Sequence, residues 1–503
     1  MVLASGLRLY GLGETPNGLF VDEASTGYDA YSLLETGRDQ FGKKLPLFAQ
    51  SLGDYNEALY RYLVIPPVYL FGLNEFSVRL PAALAGILTV LSLFVLVRRL
   101  FGTKVALWAA LFLALSPWHI HFSRIAFRGV LLPLFVTSGL AALAIGFGRK
   151  GTRPRPAYMY LAALLFVGSL FTYSSARVFV PLLLAGLACV SHIEVRAMGK
   201  HSWIAGGVFL LGVLVLLPFW LSPEGMARAD AVNLKFSWGA LRNYSSYFGW
   251  KFLVTDGDPS PRHGVQGMGQ LYMLDVPLLI VGAFTLLRRG QRASSLWLFV
   301  WLLLFPLPGA LTAGSHALRS LVGVPAFCIV SAVGASAVCE RFRSFQARAA
   351  CIAILLAGIG ASSARYVHTY HTNYSTTSAP AWLTGMGDLV AKTEAYQGTA
   401  VFISNQVPLP FLYLPFYLSW PPGEYQELSF TKDPVARLNG YQLGRYHIVN
   451  FSQEALPTES CLLVGSHSEF APWEAQLADR IESVQAVIGP EGQALYVLIT
   501  LRE

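Results

Sequence analysis

The chain has 503 residues, of which 54% are hydrophobic and only 13% are charged. A soluble domain carries about 25% charged residues, so this composition excludes a single water-soluble globule and predicts a membrane-embedded protein. The net charge of +8 would also fit a nucleic-acid partner, but the basic residues lie where membrane topology accounts for them.

The N-terminal region predicts no complete transmembrane helix. The run MVLASGL before Arg8 is too short to span a bilayer and resembles the end of a first transmembrane helix that begins upstream. The segment 57–73, EALYRYLVIPPVYLFGL, predicts an amphipathic helix that lies in the membrane interface and is broken at Pro66-Pro67. The segment 24–37 predicts a similar interfacial helix.

Apolar segments recur from residue 76 onward, and most are long enough to cross a bilayer, which takes about 20 helical residues. They indicate about ten spans, and hence a polytopic α-helical membrane protein with additional interfacial helices. The predicted spans lie near 76–98, 102–117, 129–147, 157–172, 176–192, 202–221, 270–288, 294–310, 319–339 and 348–363.

Basic residues are concentrated in alternate short loops between these spans. They are Arg98, Arg99, Lys104, Arg149, Lys150, Arg153, Arg155, Arg196, Lys200, Arg288, Arg289, Arg292, Arg341, Arg343 and Arg348. The positive-inside rule places these loops in the cytoplasm, so no nucleic-acid partner is predicted. The same rule places residues 1–75, 118–128, 222–269 and 364–503 outside. Counting 57–73 as a span would invert every later loop.

The composition changes at about residue 365, after which apolar runs alternate with polar ones. Strands are predicted at TAVFISN (399–405), YHIVNF (446–451), SCLLVGS (460–466) and ALYVLITL (494–501), with a helix at WEAQLADRIESV (473–484). The chain therefore divides into an N-terminal stub with the first outer loop (1–75), a transmembrane helical domain (76–364) and a C-terminal extracytoplasmic α/β domain (365–503).

Carboxylates occur at two places in the first outer loop. Asp22 and Glu23 precede a helix-like run, where the helix dipole favours negative charge. Two interpretations remain open for this pair, a helix cap at the membrane surface and a catalytic carboxylate at the membrane interface. Asp54 lies ahead of the 57–73 helix and either caps that helix or binds a substrate hydroxyl.

The segment 116–135 carries His119, His121, Arg124 and Arg128 at a span boundary. A His-X-His pair suggests a metal, but no carboxylate or cysteine lies nearby in sequence to complete a site, and no metal is predicted. Arginines at an apolar boundary favour phosphate binding because of their fixed donor fork. The alternative is that they snorkel to the lipid headgroups.

Three further outer-face loops hold ionisable residues close to the membrane edge. These residues are Arg177, Asp256, Asp258, Arg262, His263, His316 and Arg319. His316 and Arg319 are three residues apart, so they lie on one face of a helix. An ionisable residue at membrane depth is a functional hypothesis by default, and several on one side of the membrane indicate a binding site there.

Six of these motifs together resemble the family of the bacterial dolichyl-phosphate-mannose–protein mannosyltransferases. That family belongs to the C superfamily of glycosyltransferases, which includes the lipid A aminoarabinose transferase. The motifs are FVDEASTGYDAYSLL, SLGDYNEALYRYL, SPWHIHFSRIAFR, TYSSARVFVPL, the Asp-Pro-X-Pro-Arg-His loop and LTAGSHALRS. The resemblance covers roughly residues 8–365.

The resemblance implies roles for particular residues. The catalytic Asp of the family's Asp-Glu pair matches Asp22, with Glu23 beside it, and the second acidic residue matches Asp54. Family members often follow that second acid with Lys-Pro-Pro, whose lysine contacts the donor phosphate, whereas this chain continues Tyr-Asn-Glu. Arg128 or Arg177, or else Arg319, would then make the phosphate contact.

The implied activity is inverting transfer of a sugar from a polyprenyl-phosphate donor to a hydroxyl of a protein, lipid or glycan acceptor outside the cell membrane. No cofactor is expected, because the lipid-phosphate sugar is itself the donor substrate, and a divalent metal is the less favoured alternative. We expect Asp22 to face the arginines in one pocket. Two other functions remain open, an inactive relative that serves as a structural subunit and a transporter of lipid-linked sugars.

Overall fold

Helices form most of the chain in this computed structural model, which describes residues 1–51, 55–148, 153–226, 238–288, 293–312, 314–428, 441–453 and 456–502. The chain divides into two compact units. Unit 1 comprises Met1–Tyr10, Glu57–Tyr60 and Ala82–Tyr370. Unit 2 comprises Gly11–Asn56, Arg61–Pro81 and His371–Glu503. Both units are therefore discontinuous in sequence, whereas the predicted division followed chain order.

A helix lies over each predicted span. These helices are Glu75–Leu100, Thr103–Leu115, Leu131–Gly146, Pro156–Ser169, Ala176–Val190, Lys200–Trp220, Asp275–Arg288, Ala293–Leu304, Val324–Glu340 and Phe345–His371. Within the described residues, six helical stretches are long and apolar enough to cross a membrane, namely Glu75–Leu100, Arg128–Gly146, Lys200–Trp220, Ala293–Ala310, Leu321–Glu340 and Phe345–His371. The total of about ten spans stays a prediction.

Apolar helices of similar hydropathy differ widely in burial. In the 18-residue apolar window of each stretch, the buried share is 89% for Leu321–Glu340, 6% for Lys200–Trp220 and 17% for Phe345–His371. A helix that is apolar on all sides must be covered by protein or by lipid. The first stretch is therefore an internal helix, and the other two present surfaces suited to the hydrocarbon of a bilayer.

Small residues bring two helices of unit 1 close together. A β-carbon at Gly282 would collide with the carbonyl oxygen of Val330, and one at Gly334 would collide with the carbonyl oxygen of Leu278. The backbones of Asp275–Arg288 and Val324–Glu340 thus touch where glycine is present. Close approach through small residues is a common way of packing helices in membranes.

The tail of the chain contributes a six-stranded mixed sheet to unit 2. In sheet order its strands are Tyr441–Leu443, Tyr446–Val449, Val401–Ser404, Cys461–Gly465, Ala494–Leu501 and Ile481–Ile488. Val401–Ser404 is parallel to both of its neighbours, and the other pairings are antiparallel. Four of the strands lie where the sequence predicts strands.

The helix predicted at 473–484 is wrong over its second half. A helix covers only Glu474–Leu477, and the chain then forms the strand Ile481–Ile488. That strand pairs with Ala494–Leu501 across a tight turn closed by a hydrogen bond from the amide of Gly489 to the carbonyl of Gln493 (2.7 Å). Pairing with a neighbouring strand overrides the local helix preference, as tertiary context often does.

Two helices occupy the predicted interfacial segments of the N-terminal region. One is Val21–Thr36, and the other, Leu59–Phe71, continues through Pro66 and Pro67. The break predicted at these prolines is therefore wrong. Two missing amide donors weaken a helix, but Tyr60, Val64 and Val68 form a buried stripe at helical spacing that holds this one together.

Unit 2 joins the N-terminal segment Gly11–Asn56 to the C-terminal tail. The helix Val21–Thr36 packs on the helices Pro410–Tyr417 and Pro422–Glu427. The hydroxyl of Tyr413 donates a hydrogen bond to the carbonyl of Leu19 (2.7 Å), and the hydroxyl of Tyr28 donates one to the carbonyl of Trp420 (3.0 Å). The helix that carries Asp22 is thus supported by residues almost 400 positions later.

Candidate active site

Two arginines of unit 1 converge on the carboxylate of Glu57. Arg128 Nε lies 3.1 Å from Glu57 Oε2, and Arg177 Nη2 lies 3.1 Å from Glu57 Oε1. The glutamate side chain is 1% exposed, whereas the two arginine side chains are 14% and 21% exposed. Burial by itself would raise the pKa of Glu57, but the two positive charges reverse this effect and hold its pKa below the usual value.

Aromatic rings support both guanidinium groups. The guanidinium carbon of Arg128 lies 5.3 Å from the ring centroid of Tyr173, and that of Arg177 lies 5.4 Å from the centroid of Trp220. These are cation–π distances. Within the described residues, Nε of Arg177 is buried and has no hydrogen-bond acceptor. The pair therefore retains donor capacity beyond Glu57, which is what binding of a phosphate group requires.

The other arginines predicted to bind substrate have different surroundings. The guanidinium of Arg319 donates a hydrogen bond to the hydroxyl of Thr312, and its backbone carbonyl accepts one from Ser175 (3.3 Å). Arg124 is fully buried and donates to the carbonyls of Leu7 (3.2 Å) and Tyr10 (2.7 Å). Arg124 is thus engaged with backbone and closed to solvent, so Arg128 and Arg177 are the stronger phosphate candidates.

The histidines of the His-X-His motif have separate partners. Nδ1 of His119 lies 2.8 Å from Arg8 Nη2, and Nε2 of His121 lies 2.8 Å from the carbonyl oxygen of Arg262. Burial lowers the pKa of His119 well below its usual value and lowers that of His121 to about 4. Both imidazoles are therefore neutral at pH 7 and each uses one ring nitrogen for a structural contact.

The loop 255–272 brings three other polar groups of unit 1 together. Asp258 Oδ1 lies 3.2 Å from His263 Nδ1, and Asp258 Oδ2 lies 4.0 Å from His316 Nδ1. The rings of His263 and His316 have centroids 4.5 Å apart. Burial acts to raise the pKa of Asp258, but His263 and two backbone amides lower it overall. The two histidines were predicted to bind substrate, and the structure adds their contacts with Asp258.

Asp22 and Glu23 of unit 2 have different environments at the start of one helix. Asp22 is partly buried, whereas Glu23 is fully buried and forms two 3.0 Å contacts with Arg79, one to Nε and one to Nη2. Glu23 also accepts a hydrogen bond from the amide of Phe20 (3.2 Å). Its carboxylate therefore caps the helix and pairs with Arg79, and Asp22 is the more accessible carboxylate of the two.

Arg79 is a site residue that the sequence analysis missed. Besides pairing with Glu23, it donates to the carbonyls of Pro16 (2.9 Å) and Gly18 and lies 5.8 Å from the ring centroid of Trp382. It thus fixes the turn that leads into the helix of Asp22. The arginine begins an apolar run with no neighbouring motif, so no local signal identified it.

A second buried pair in unit 2 also escaped sequence analysis. Nε of Arg61 lies 2.5 Å from Asp29 Oδ2, and the other carboxylate oxygen accepts a hydrogen bond from the amide of Gln40 (3.1 Å). Burial raises the pKa of Asp29 to about 6, with Arg61 opposing the shift. The pair ties the helix Val21–Thr36 to Leu59–Phe71 and therefore contributes to positioning Asp22.

Asp54 lies outside the described residues, so its predicted role stays a prediction. Asp22 belongs to unit 2, whereas Arg128, Arg177 and Arg319 belong to unit 1. The predicted pocket that unites the aspartate with the arginines also stays a prediction. Within unit 1 the structure does join Arg128 with Arg177, and His263 with His316, although each pair is far apart in sequence.

Residues 59–221 match the family described as dolichyl-phosphate-mannose-protein mannosyltransferase. This match confirms the resemblance that the motifs indicate. No curated protein sequence matches the chain.

Solved structures show a similar fold. ArnT from Cupriavidus metallidurans, determined bound to undecaprenyl phosphate, has a TM-score of 0.57 at 14% identity, covering 99% of this chain and 96% of that chain. The Archaeoglobus fulgidus oligosaccharyltransferase tethered with an acceptor peptide has a TM-score of 0.52 at 12% identity, covering 98% and 72% of the two chains. The chain therefore shares its fold with these two proteins.

Proposed function

We propose that this chain, which shares its fold with ArnT and part of its sequence with the mannosyltransferase family, transfers a sugar from a polyprenyl-phosphate donor to an acceptor hydroxyl outside the cell membrane. The observation that carries the proposal is the convergence of Arg128 and Arg177 on the buried Glu57, each at 3.1 Å. Two adjacent guanidinium groups with spare donors suit a phosphate monoester or diester. The undecaprenyl phosphate named for ArnT has this chemistry.

In the proposed reaction the acceptor oxygen attacks the anomeric carbon from the face opposite the phosphate. The bond between the anomeric carbon and the phosphate oxygen breaks, its electron pair leaves with the polyprenyl phosphate, and the configuration inverts. Arg128 and Arg177 stabilise the negative charge that grows on the departing phosphate. No general acid is needed, because the leaving group is already a weak base.

Asp22 is the proposed general base, which takes the proton of the acceptor hydroxyl as the new bond forms. It lies in the first turn of the helix Val21–Thr36 and is more accessible than the neighbouring Glu23. Glu23 and Arg79 are positioning residues in this scheme. Their buried pair holds the backbone turn from which Asp22 projects.

The outer-face location of the reaction is part of the proposal and is supported by the basic residues in alternate loops. The partners are a polyprenyl-phosphate-linked sugar and an acceptor that is a protein, lipid or glycan. The sheet-containing tail contacts the helix of Asp22 within unit 2, which makes it the part of the chain best placed to select the acceptor. The reaction as proposed uses no cofactor.

The test begins with mass spectrometry of glycans, glycolipids and glycoproteins from cells with and without this protein, which identifies the product. Asp22→Asn and the wild type are then each expressed in cells that lack the protein, and the amounts of that product are compared. We expect a loss of about 10²–10⁴-fold, the usual contribution of general base catalysis, with normal amounts of protein in the membrane.

Glu35→Gln is the matched control, because Glu35 is an exposed carboxylate on the same helix. We expect it to restore the product fully. Near-normal product with Asp22→Asn would remove Asp22 as the base. If loss of the protein changes no glycan, that result would contradict the proposed transferase activity. It would favour a structural subunit or a transporter.

A further inference from the structure

Two loops of unit 1 place three metal-ligand atoms around one point. Asp258 and His263 lie in the loop 255–272, and His316 lies in the segment that precedes Val324–Glu340. One ligand atom from each of these residues lies within 4.8 Å of the other two. The cluster differs from the Glu57–Arg128–Arg177 group, and the proposed transfer reaction does not use it.

The Asp258 carboxylate is fixed before any ligand is considered. Its side chain is 3% exposed. Oδ1 accepts a hydrogen bond from the amide of Ser260 (2.9 Å), and Oδ2 accepts one from the amide of Ala317 (2.6 Å). Because Ala317 follows His316 directly, the second hydrogen bond also brings the His316 imidazole to the carboxylate. Each oxygen retains a lone pair for a further partner.

The imidazoles are held by neighbouring aromatic rings. His263 packs on the His316 ring at a tilt of 37° and lies 6.0 Å from Phe122 and 6.3 Å from Phe127 between ring centroids. Within the described part of the chain, Nδ1 of His263 is buried without a well-aligned hydrogen bond, although Asp258 Oδ1 is only 3.2 Å away. A short distance with poor alignment is what two ligands of one ion show.

We propose that Asp258, His263 and His316 bind a divalent transition-metal ion, with zinc(II) the best fit. Two imidazole nitrogens and one carboxylate oxygen are a common three-residue zinc set, which leaves a fourth position for water or another oxygen ligand. Zinc–ligand distances of about 2.0–2.2 Å imply about 3.3–3.5 Å between ligands of a tetrahedron. The 3.2 Å between Asp258 Oδ1 and His263 Nδ1 is close to this separation. Nδ1 of His316 lies 4.0 Å from the other carboxylate oxygen, so the His316 side chain has to move to bind the same ion.

The ion would join the loop 255–272 to the segment that carries His316 and Arg319. Neither region is a regular helix at the contact, so the ion would link two irregular segments directly. The competing account is a proton shared between a histidine and Asp258. The two accounts differ in metal content and in the effect of chelation.

The test uses the full-length protein in lipid nanodiscs, stripped with EDTA and titrated with zinc(II). We expect one zinc per chain by elemental analysis and a rise in the unfolding temperature on zinc addition. Asp258→Asn, His263→Ala and His316→Ala should each weaken binding by at least about tenfold, because each removes a direct ligand. His192→Ala is the control, since His192 is exposed and outside the cluster.

His263→Cys keeps the proposal testable if the alanine variants fold poorly. A cysteine retains a ligand at that position, so the variant should bind cobalt(II) and show a thiolate-to-cobalt charge-transfer band that the wild type lacks. Equal zinc binding by His263→Ala, His316→Ala and the wild type would overturn the proposal. So would a wild-type protein that binds no zinc, or a His263→Cys variant without the new band.

Discussion

Glu57 places one negative charge between two guanidinium groups in a position almost closed to water. A single carboxylate that pairs with two arginines leaves the cluster with a net positive charge. Such a cluster is stable when the arginines keep some solvent contact and aromatic support, and both conditions hold here. The same excess charge attracts an anion, which is why the cluster supports the proposed phosphate site.

Glu57→Gln should destabilise the protein because it leaves two arginines without their carboxylate. Removing one partner of a buried pair costs up to about 3–5 kcal/mol, and the partial exposure of the arginines reduces this value. The measurement is the unfolding temperature in nanodiscs. The control is Glu340→Gln, which removes an exposed pair with Lys104 and should cost less than about 1 kcal/mol. Equal effects of Glu57→Gln and Glu340→Gln on the unfolding temperature would contradict the assignment of Glu57 as the buried partner of two arginines.

The Glu57 contribution should also depend on pH. Its folded-state pKa is lowered from 4.5, so the stabilisation is complete above the unfolded-state pKa and is lost as the pH falls through the lower, folded-state value. The difference in unfolding temperature between wild type and Glu57→Gln should be constant near neutral pH and shrink in acid below the unfolded-state pKa. A difference that grows on acidification would contradict the ion-pair account.

At the scale of elements, the contact between Asp275–Arg288 and Val324–Glu340 depends on glycines rather than on large apolar side chains. Neither Gly282 nor Gly334 has room for a β-carbon against the opposite backbone. Since lipid is as apolar as leucine, close packing rather than hydrophobic burial holds helices together in a bilayer. This contact therefore anchors the buried helix of unit 1.

Gly334→Ala should force these two helices apart and cost about 1–3 kcal/mol, the usual range for overpacking. Gly360→Ala is the matched control, because a β-carbon there meets no atom within 4 Å of the described structure. The control should be neutral or slightly stabilising, since alanine is the better helix former. Unfolding temperature measures both changes, and an equal response would mean that the close contact is absent.

At the scale of the whole molecule, the helix of Asp22 and the C-terminal tail belong to the same unit. Deletion of residues 372–503 should therefore expose the helix Val21–Thr36, which loses the support of Pro410–Tyr417. Hydrogen–deuterium exchange should become faster in Val21–Thr36. In the full chain, Tyr413→Phe removes the hydrogen bond to Leu19 and should cause a smaller increase near residue 19.

The control for this experiment is Tyr446→Phe, which removes a hydrogen bond to Glu394 elsewhere in unit 2. It should leave exchange in Val21–Thr36 unchanged. Unchanged protection of that helix in the deletion variant would show that Gly11–Asn56 folds without the tail. That result would contradict a unit 2 in which Gly11–Asn56 and the C-terminal tail fold together.

The sequence by itself determined the features that depend on neighbours along the chain. The helices over the predicted spans, four of the strands and the acidic start of Val21–Thr36 were all predictable, because hydropathy period and helix-end chemistry act over a few residues. The motifs also sufficed for the resemblance that residues 59–221 confirm.

Tertiary structure alone decided which distant residues meet. Glu57 pairs with Arg128 and Arg177, which are 71 and 120 positions away, and Asp258 contacts the amide of Ala317 across 59 positions. It also decided that Ile481–Ile488 is a strand and that Leu59–Phe71 continues through its prolines. In each case the stabilising free energy comes from burial and pairing between segments that are remote in sequence. No local sequence pattern predicts such contacts.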